Sequence, residues 1–462
     1  MKDHICLEFP RDCFKSVFRF QLELPMSVFK RFWSGVERSS SKSKSEVVDE
    51  IAEYQPYNPF TELLFLEQHN DIVRLLLRID SKRCVSAADD NLAVVWDIQF
   101  GYKLVTLSGH TRPITCMLNL CKRGDNQQQI VTGSSDKQIR IWNIDTGDCL
   151  NVLTQHESSV KCLLSFGGDG CFCSGGEILC LWSRKGDLLA SYKCDETESD
   201  IIKMIAIRND RIVASMDKYL VVYTIKQVQG EEAEISLVKK LPPHREPVRC
   251  LINMADDIFA SASLDGTVKL WKTDSLLSYR YFNSENEEYQ GAEKTFPYSV
   301  DTMLCLKNRY IVASIGSGFT IYDIETGQTV LRKEHAHHSK INDITFTCEG
   351  LYLATAAVDG SIRLWSFVDV IKDTIQGNSA SHKHGNTSSR MLEKWLSVES
   401  KMSLVGECLA HSGPVQVLLD CDDESIVSCG VDGLVIVWKN ENVQMIKRNH
   451  VIQTMMMCDG IV

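Results

Sequence analysis

Five times along this chain an aspartate stands six residues ahead of a tryptophan: Asp90/Trp96, Asp136/Trp142, Asp265/Trp271, Asp359/Trp365 and Asp432/Trp438. A histidine opens each of these units and is followed four residues later by Val or Ile, at His69, His110, His244, His337 and His411; His156 starts a sixth. The His-to-Asp distance is 21 in three units, 22 from His337 to Asp359, and 26 from His110 to Asp136, where CKRGDNQQQ adds a polar loop. Internal repetition is the strongest constraint a sequence can place on a fold. A unit this short cannot bury its apolar face alone, so neighbouring units must stack. Insertions confined to turns are what a packed strand array tolerates.

Weaker copies fill the gaps. CSGGEILCLW (173–182) keeps Trp182 but lacks the turn aspartate. ASMDKYLVVY (214–223) keeps Asp217 and puts Tyr223 in the Trp slot, while ASIGSGFTIY (313–322) has Tyr322 and glycines in place of the acid. The aromatic marker therefore falls at 96, 142, 182, 223, 271, 322, 365 and 438, mostly 40–51 residues apart with one interval of 73. Each copy reads as short β-runs between polar turns, with no helical stretch of similar weight.

Gly109-His110, SSDKQIRIWN, VVWDI, SLDGTVKLW and AVDGSIRLW resemble the WD40-repeat propeller family over residues 60–440. The resemblance implies an all-β, eight-bladed WD40 β-propeller, or seven blades if a degenerate repeat does not close. It also implies a role for the recurrent residues. The turn aspartate accepts from the histidine, which meets a Ser/Thr hydroxyl, which in turn reaches the indole N–H. In the second unit these would be Asp136, His110, Thr132 or Ser134, and Trp142. His69, Asp90, Trp96, His244, Asp265, Trp271, His337, Asp359, Trp365, His411, Asp432 and Trp438 fill the same places in theirs, as structure rather than acid–base chemistry. TELLFLEQH (61–69) is expected to close the ring as the outer strand of the last blade, beside VIVWKN (435–440).

Composition narrows the function classes. The net charge of −11 argues against nucleic acid as a main partner. Eighteen cysteines show no C-x-x-C pair, and Cys84, Cys162, Cys250 and Cys429 lie in apolar runs, which reads as reduced, buried thiols in a cytoplasmic protein. No apolar run is long enough for a transmembrane segment. There is no nucleophile elbow, phosphate loop or H-E-x-x-H, so no enzyme, cofactor or metal is expected. His382 and His384 are only weakly spaced for a metal.

Three segments depart from the repeat. Residues 1–58 read as a flexible basic and aromatic leader, with an interfacial contact as the alternative; Met26 is a second possible start. The propeller spans 59–440, interrupted at 366–403 in the seventh repeat. There RMLEKWLSVES spaces Met391 and Trp395, with Leu396 adjoining, as a short amphipathic helix. It either folds back on the ring or docks a partner through Trp395. In the tail, 441–462, Met445, Ile452 and Met455 form a helical apolar stripe suited to an interface, or part of the last blade.

NPFTELLFLEQHNDIVRLLLRIDSKRCVSAADDNLAVVWD (58–97), SGGEILCLW, the Tyr-for-Trp repeats and the insertion ahead of LVGECLAHSGPV are similar to one branch of the family. That resemblance implies a non-catalytic subunit that binds a DENN-domain heterodimer. Its two members are the chromosome-nine open-reading-frame protein and the Smith–Magenis-region candidate protein. The complex works in small-GTPase regulation, autophagy and lysosomal amino-acid signalling. By the same resemblance 58–66 and 441–458 meet the DENN partner, and 390–398 meets a lysosomal cationic amino-acid transporter. Trp395 is the sole aromatic in that last stretch, where the resemblance implies an aromatic-rich loop. A cullin-ligase substrate receptor is the alternative. It would carry Trp-Asp-x-Arg after a third strand, which no repeat here does. A hydrolase with metal in the central channel is a third class, without a ligand cluster to support it.

Overall fold

The computed structural model describes residues 58–120, 128–167, 170–193, 199–208, 210–226, 233–255, 257–283, 298–306, 308–348, 350–367, 402–421 and 425–440. They fall within one compact unit, Val48–Val462. Their regular structure is thirty-two strands in eight four-stranded antiparallel sheets, with no α-helix. Blade two shows the plan: Ile114–Asn119 lines the centre, then Gln129–Ser134, Ile139–Asn143 and the outer Cys149–Leu153. The other blades occupy 73–107, 162–193, 203–241, 248–282, 303–333 and 341–409, and the eighth combines 415–439 with Glu62–Leu66.

The ring is closed. Each inner strand contacts the next, and the eighth contacts the first. The repeats ending at Tyr223 and Tyr322 both complete four strands, so the seven-bladed alternative falls. The N-terminal strand pairs with Val435–Lys439, Leu63 opposite Trp438 and Leu66 opposite Val435. Just before it, Phe60 is buried, and the Asn58 side chain donates to the carbonyl of Glu407 in blade seven. The two ends of the chain thus share one sheet, and that sheet has no break at the seam.

In blades one to seven the pairing of the third and outer strands slips by one residue at the marker aromatic, as at Ile141/Trp142 and Val222/Tyr223. A bulge there re-aims the side chain. In blade eight, where the outer strand comes from the other end of the chain, the register runs straight.

Between every two blades lies an apolar cluster, and each marker aromatic packs on the blade before its own. Trp142 lies with Val85 and Val95 of blade one, Trp365 with Val312 and Phe319 of blade six, and Trp96 with Val427 and Cys429 of blade eight. Both faces of each sheet are covered, so several of the third strands, such as AVVWD, ILCLW and VIVWK, open as continuous apolar runs, whereas Arg140, Lys269 and Arg363 interrupt theirs. No disulfide joins the described cysteines; Cys84, Cys162 and Cys429 are buried, Cys250 is partly buried, and burial pushes the Cys116 and Cys408 thiols up to about 12. No described helix is long and apolar enough to cross a membrane.

Candidate functional site

The histidines come first, because they are the residues most often used for chemistry. His110 Nδ1 lies 2.8 Å from Asp136 Oδ2, and its Nε2 lies 2.7 Å from Thr132 Oγ1. Trp142 Nε1–H donates to that same hydroxyl at 2.8 Å. The carboxylate can only accept, so the ring carries a proton on Nδ1 and donates it to Asp136. In the neutral ring that burial favours, Nε2 accepts from the Thr132 hydroxyl, which itself accepts from the indole. Burial pushes His110 below the usual histidine range, against the pull of Asp136. Burial alone would raise the Asp136 carboxyl; the N–H groups of Thr111 and Gln138 and the His110 ring outweigh it and hold it low.

The unit repeats with small changes. His69 joins Asp90 and Ser86, both at 2.8 Å, with Trp96 on Ser86. His337 joins Asp359 at 3.3 Å and Thr355 at 2.7 Å, with Trp365 on Thr355. His411 joins Asp432 at 3.0 Å and Ser428 at 2.7 Å, with Trp438 on Ser428. Blade five corrects the expected pattern. His244 meets Ser261, as Trp271 does, but its Nδ1 is 3.8 Å from Asp265. Thr267 stands between them, its hydroxyl 3.1 Å from His244 Nδ1 and donating to Asp265 Oδ1 at 2.6 Å. A hydroxyl two residues after the aspartate takes the place of the direct bond; Ser361 intervenes in the same way in blade seven, 3.0 Å from His337 Nδ1 and donating to Asp359 Oδ1 at 2.6 Å, but there the carboxylate stays within 3.3 Å of the ring.

Glu177 was not among the expected residues. In blade three it accepts from the Glu157 N–H and the Ser158 hydroxyl, while His156 Nδ1 sits 3.7 Å from Oε2 and makes no hydrogen bond. The turn there is too short for an aspartate at the usual spacing, and the longer side chain replaces it. The Trp182–Ser174–His156 part of the chain is intact. Blade four has none of this: the Tyr223 hydroxyl donates to Met216 Sδ at 3.8 Å. These groups face one another inside separate sheets and share no cleft. Among the described residues no three His, Cys, Asp or Glu side chains could hold a metal ion.

What the ring offers outward is apolar. Phe65 on the N-terminal strand is 48% exposed, and Phe100 and Tyr102 of blade one are 60% and 66% exposed. Phe100 and Tyr102 stack at 6.3 Å. Leu63, Leu104, Leu150 and Val152 extend this band across blades eight, one and two. The turn that carries Phe100 rests on the N-terminal strand: Gly101, at φ +77°, lies against Leu64 and Leu66, and Lys439 Nζ donates to the carbonyl of Gln99. The band thus crosses the seam where the chain closes. The N-terminal strand alternates exposed and half-buried positions, whereas Tyr102, Lys103 and Leu104 are exposed in a row; apart from Lys103 and Cys149, the exposed positions of these three strands are aromatic or aliphatic. Met391, Trp395 and Leu396 of the insertion and Met445, Ile452 and Met455 of the tail lie outside the described residues. The insertion leaves and re-enters where Phe367 pairs with Met402, between the third and outer strands of blade seven.

The family model of the WDR41 β-propeller matches residues 28–448. WD repeat-containing protein 41 of Homo sapiens is 29% identical over 413 residues, which is 84% of this chain and 89% of that protein. The Mus musculus protein of the same name is 29% identical over 418 residues, with the same coverage of each chain. Among solved structures, the computationally designed Ika8 protein superposes with a TM-score of 0.60 at 22% identity, covering 81% of this chain and 98% of that one. That last likeness concerns the fold alone.

Proposed function

The chain belongs to the WDR41 β-propeller family, a WD40 scaffold fold, and from that premise we propose that it is the non-catalytic subunit that holds a DENN-domain heterodimer in a small-GTPase-regulating, autophagy- and lysosome-associated complex. The observation that carries this reading is the exposed apolar band at the seam of blades eight and one. Exposed aromatic clusters of this kind are characteristic of protein interfaces. The hydrogen-bonding histidines and carboxylates are already committed inside the sheets, which supports binding over turnover. The segment 58–66, expected to meet the DENN partner, contains Phe65 and borders Tyr102. The tail 441–462 continues from the same blade.

The test is co-purification of the full chain with the two DENN proteins, the chromosome-nine open-reading-frame protein and the Smith–Magenis-region candidate. Phe65→Asp with Tyr102→Asp should weaken capture at least about tenfold, since buried aromatic anchors dominate interface energies. The melting temperature should stay within a few degrees, because both side chains already face solvent. Full capture by the folded double variant would overturn the assignment of this band to the DENN pair.

A further inference from the structure

On the opposite side of the ring from that seam, blades four and five line an open cleft of about 470 Å³. Its walls include Tyr219, Lys239, Lys240, Pro242, Leu276 and Leu277, and no carboxylate lines it. Its size is in the range of ordinary ligand sites.

Two features set it apart. The first is a strained leucine. Gly101, Gly147 and Gly327, all at positive φ, donate their N–H to the carbonyl four residues back in the turn between third and outer strands. In blade five Leu276 makes the same bond, to Lys272, at φ +53°. This conformation favours glycine, and a bulky residue held in it is an outlier that points to a local function. Its own side chain is buried with Leu241, Phe259 and Trp271, and Leu277 is left 59% exposed at the cleft wall.

The second feature is charge. Lys239 Nζ donates to the carbonyl of Leu276 and Lys269 Nζ to that of Pro243, while Lys218 and Lys240 lie over the Tyr219 ring at 5.6 and 4.6 Å. Lys218, Lys239 and Lys269 form no ion pair among the described residues. The nearby acid Asp274 is taken by Arg208. In a chain of net charge −11, this is a cationic cleft with apolar walls.

The outer strand Glu234–Leu241 borders the cleft and is the last strand of its sheet, with no further strand beside it among the described residues. At eight residues it matches the longest outer strand of the ring. Pro242 and Pro243 follow it and have no N–H to continue a ladder. We propose that this edge and cleft form a second protein-binding site. It takes an extended partner segment that alternates acidic and apolar residues, pairs as a fifth strand on Glu234–Leu241, and places one apolar side chain against Leu277. Main-chain bonds would supply the pairing, and the pocket and lysines the selectivity.

The probe is a fluorescein-tagged heptapeptide that alternates Glu or Asp with Leu, Phe and Val, titrated with the full chain and followed by anisotropy. Saturable binding is expected, with a new slow-exchange signature on the amides of 236–241 by hydrogen exchange. Leu277→Asp and Lys239→Glu should each weaken binding at least about tenfold, as loss of a central anchor or its charge partner does. A peptide with lysines in place of its acids should not bind. Both variants should still capture the DENN pair, which separates this site from the one at the seam. Lack of saturation at millimolar chain, affinity unchanged by both substitutions, or protection on a different outer strand would refute the proposal.

Discussion

A single hydroxyl, Thr132 Oγ1, satisfies two buried groups at once, the indole N–H of Trp142 and the imidazole Nε2 of His110. Ser134, two residues on and therefore on the same face of the strand, was the other candidate. It is occupied elsewhere, donating to the carbonyl of Arg112 and accepting from the N–H of Asp136. The residue types left the pair ambiguous, and the strand register decided between them: Ile130 stands opposite Trp142, which puts Thr132 two residues along and Ser134 four. Thr132→Val keeps the shape and removes the oxygen. It leaves one donor and one acceptor buried without partners, so we expect a loss of about 2–4 kcal/mol in urea unfolding, set by the penalty for each orphaned group. Ser134→Ala should cost less, since only local turn bonds are lost. Glu177 makes the same point. It was invisible as a turn acid because the spacing and the residue type both changed, yet it binds the backbone at Glu157 as Asp136 does at Thr111. Glu177→Ala should lower the melting temperature, whereas Glu177→Gln, which can still accept, should lower it less.

At the scale of the element, the N-terminal strand is the piece on which the ring depends. Leu66 is buried in the cluster shared by blades eight and one, and Phe60 in the one shared by seven and eight. Deleting residues 60–68 removes the outer strand of blade eight and unpairs one edge of Val435–Lys439. A drop of more than about 10 °C in scanning calorimetry is expected, several kcal/mol being lost from two apolar clusters at once. An unchanged transition would mean that blade eight is held by its three remaining strands. This strand was legible in the sequence because a β-run stood ahead of the first full unit and the last unit lacked a fourth strand. The exposed band was not. Tyr102, Lys103 and Leu104 are exposed in a row, and how much of an outer strand faces solvent depends on the blade next to it.

The ring as a whole responds to acid through its histidines. Burial lowers His110, His156 and His337, and takes His244 to about 4, all below the ordinary 6.5 of an unfolded chain. The native state therefore binds fewer protons than the unfolded one. The stability these groups confer is complete above the unfolded pKa and is lost as the pH falls from there toward the folded values. The depressed carboxyls Asp136, Asp265 and Asp432 act in the same direction at lower pH. Asp343 opposes them. It joins three blades, accepting from the N–H groups of Ile344 and Leu418 and from Thr302, and burial raises it to about 6. Its share of stability grows as the pH falls from 6 toward 3.8. With four histidines against one carboxyl, the melting temperature should fall steadily from pH 7 to pH 4.5. Asp343→Asn should steepen that fall, and a flat profile would mean the histidines titrate normally in the folded ring.

The sequence by itself determined the number of repeats, the strands within them and, in the units that keep both His and Asp, the residues gathered at the turn. Those properties repeat, and a repeat of residue types at fixed spacing carries its local geometry with it. Tertiary structure alone decided that two Tyr-bearing copies close as blades, that each marker aromatic belongs to the core of the preceding blade, and which outer residues remain uncovered. Closure is a condition on all eight sheets together. Exposure depends on what a neighbouring sheet leaves bare, and no local pattern records the neighbour.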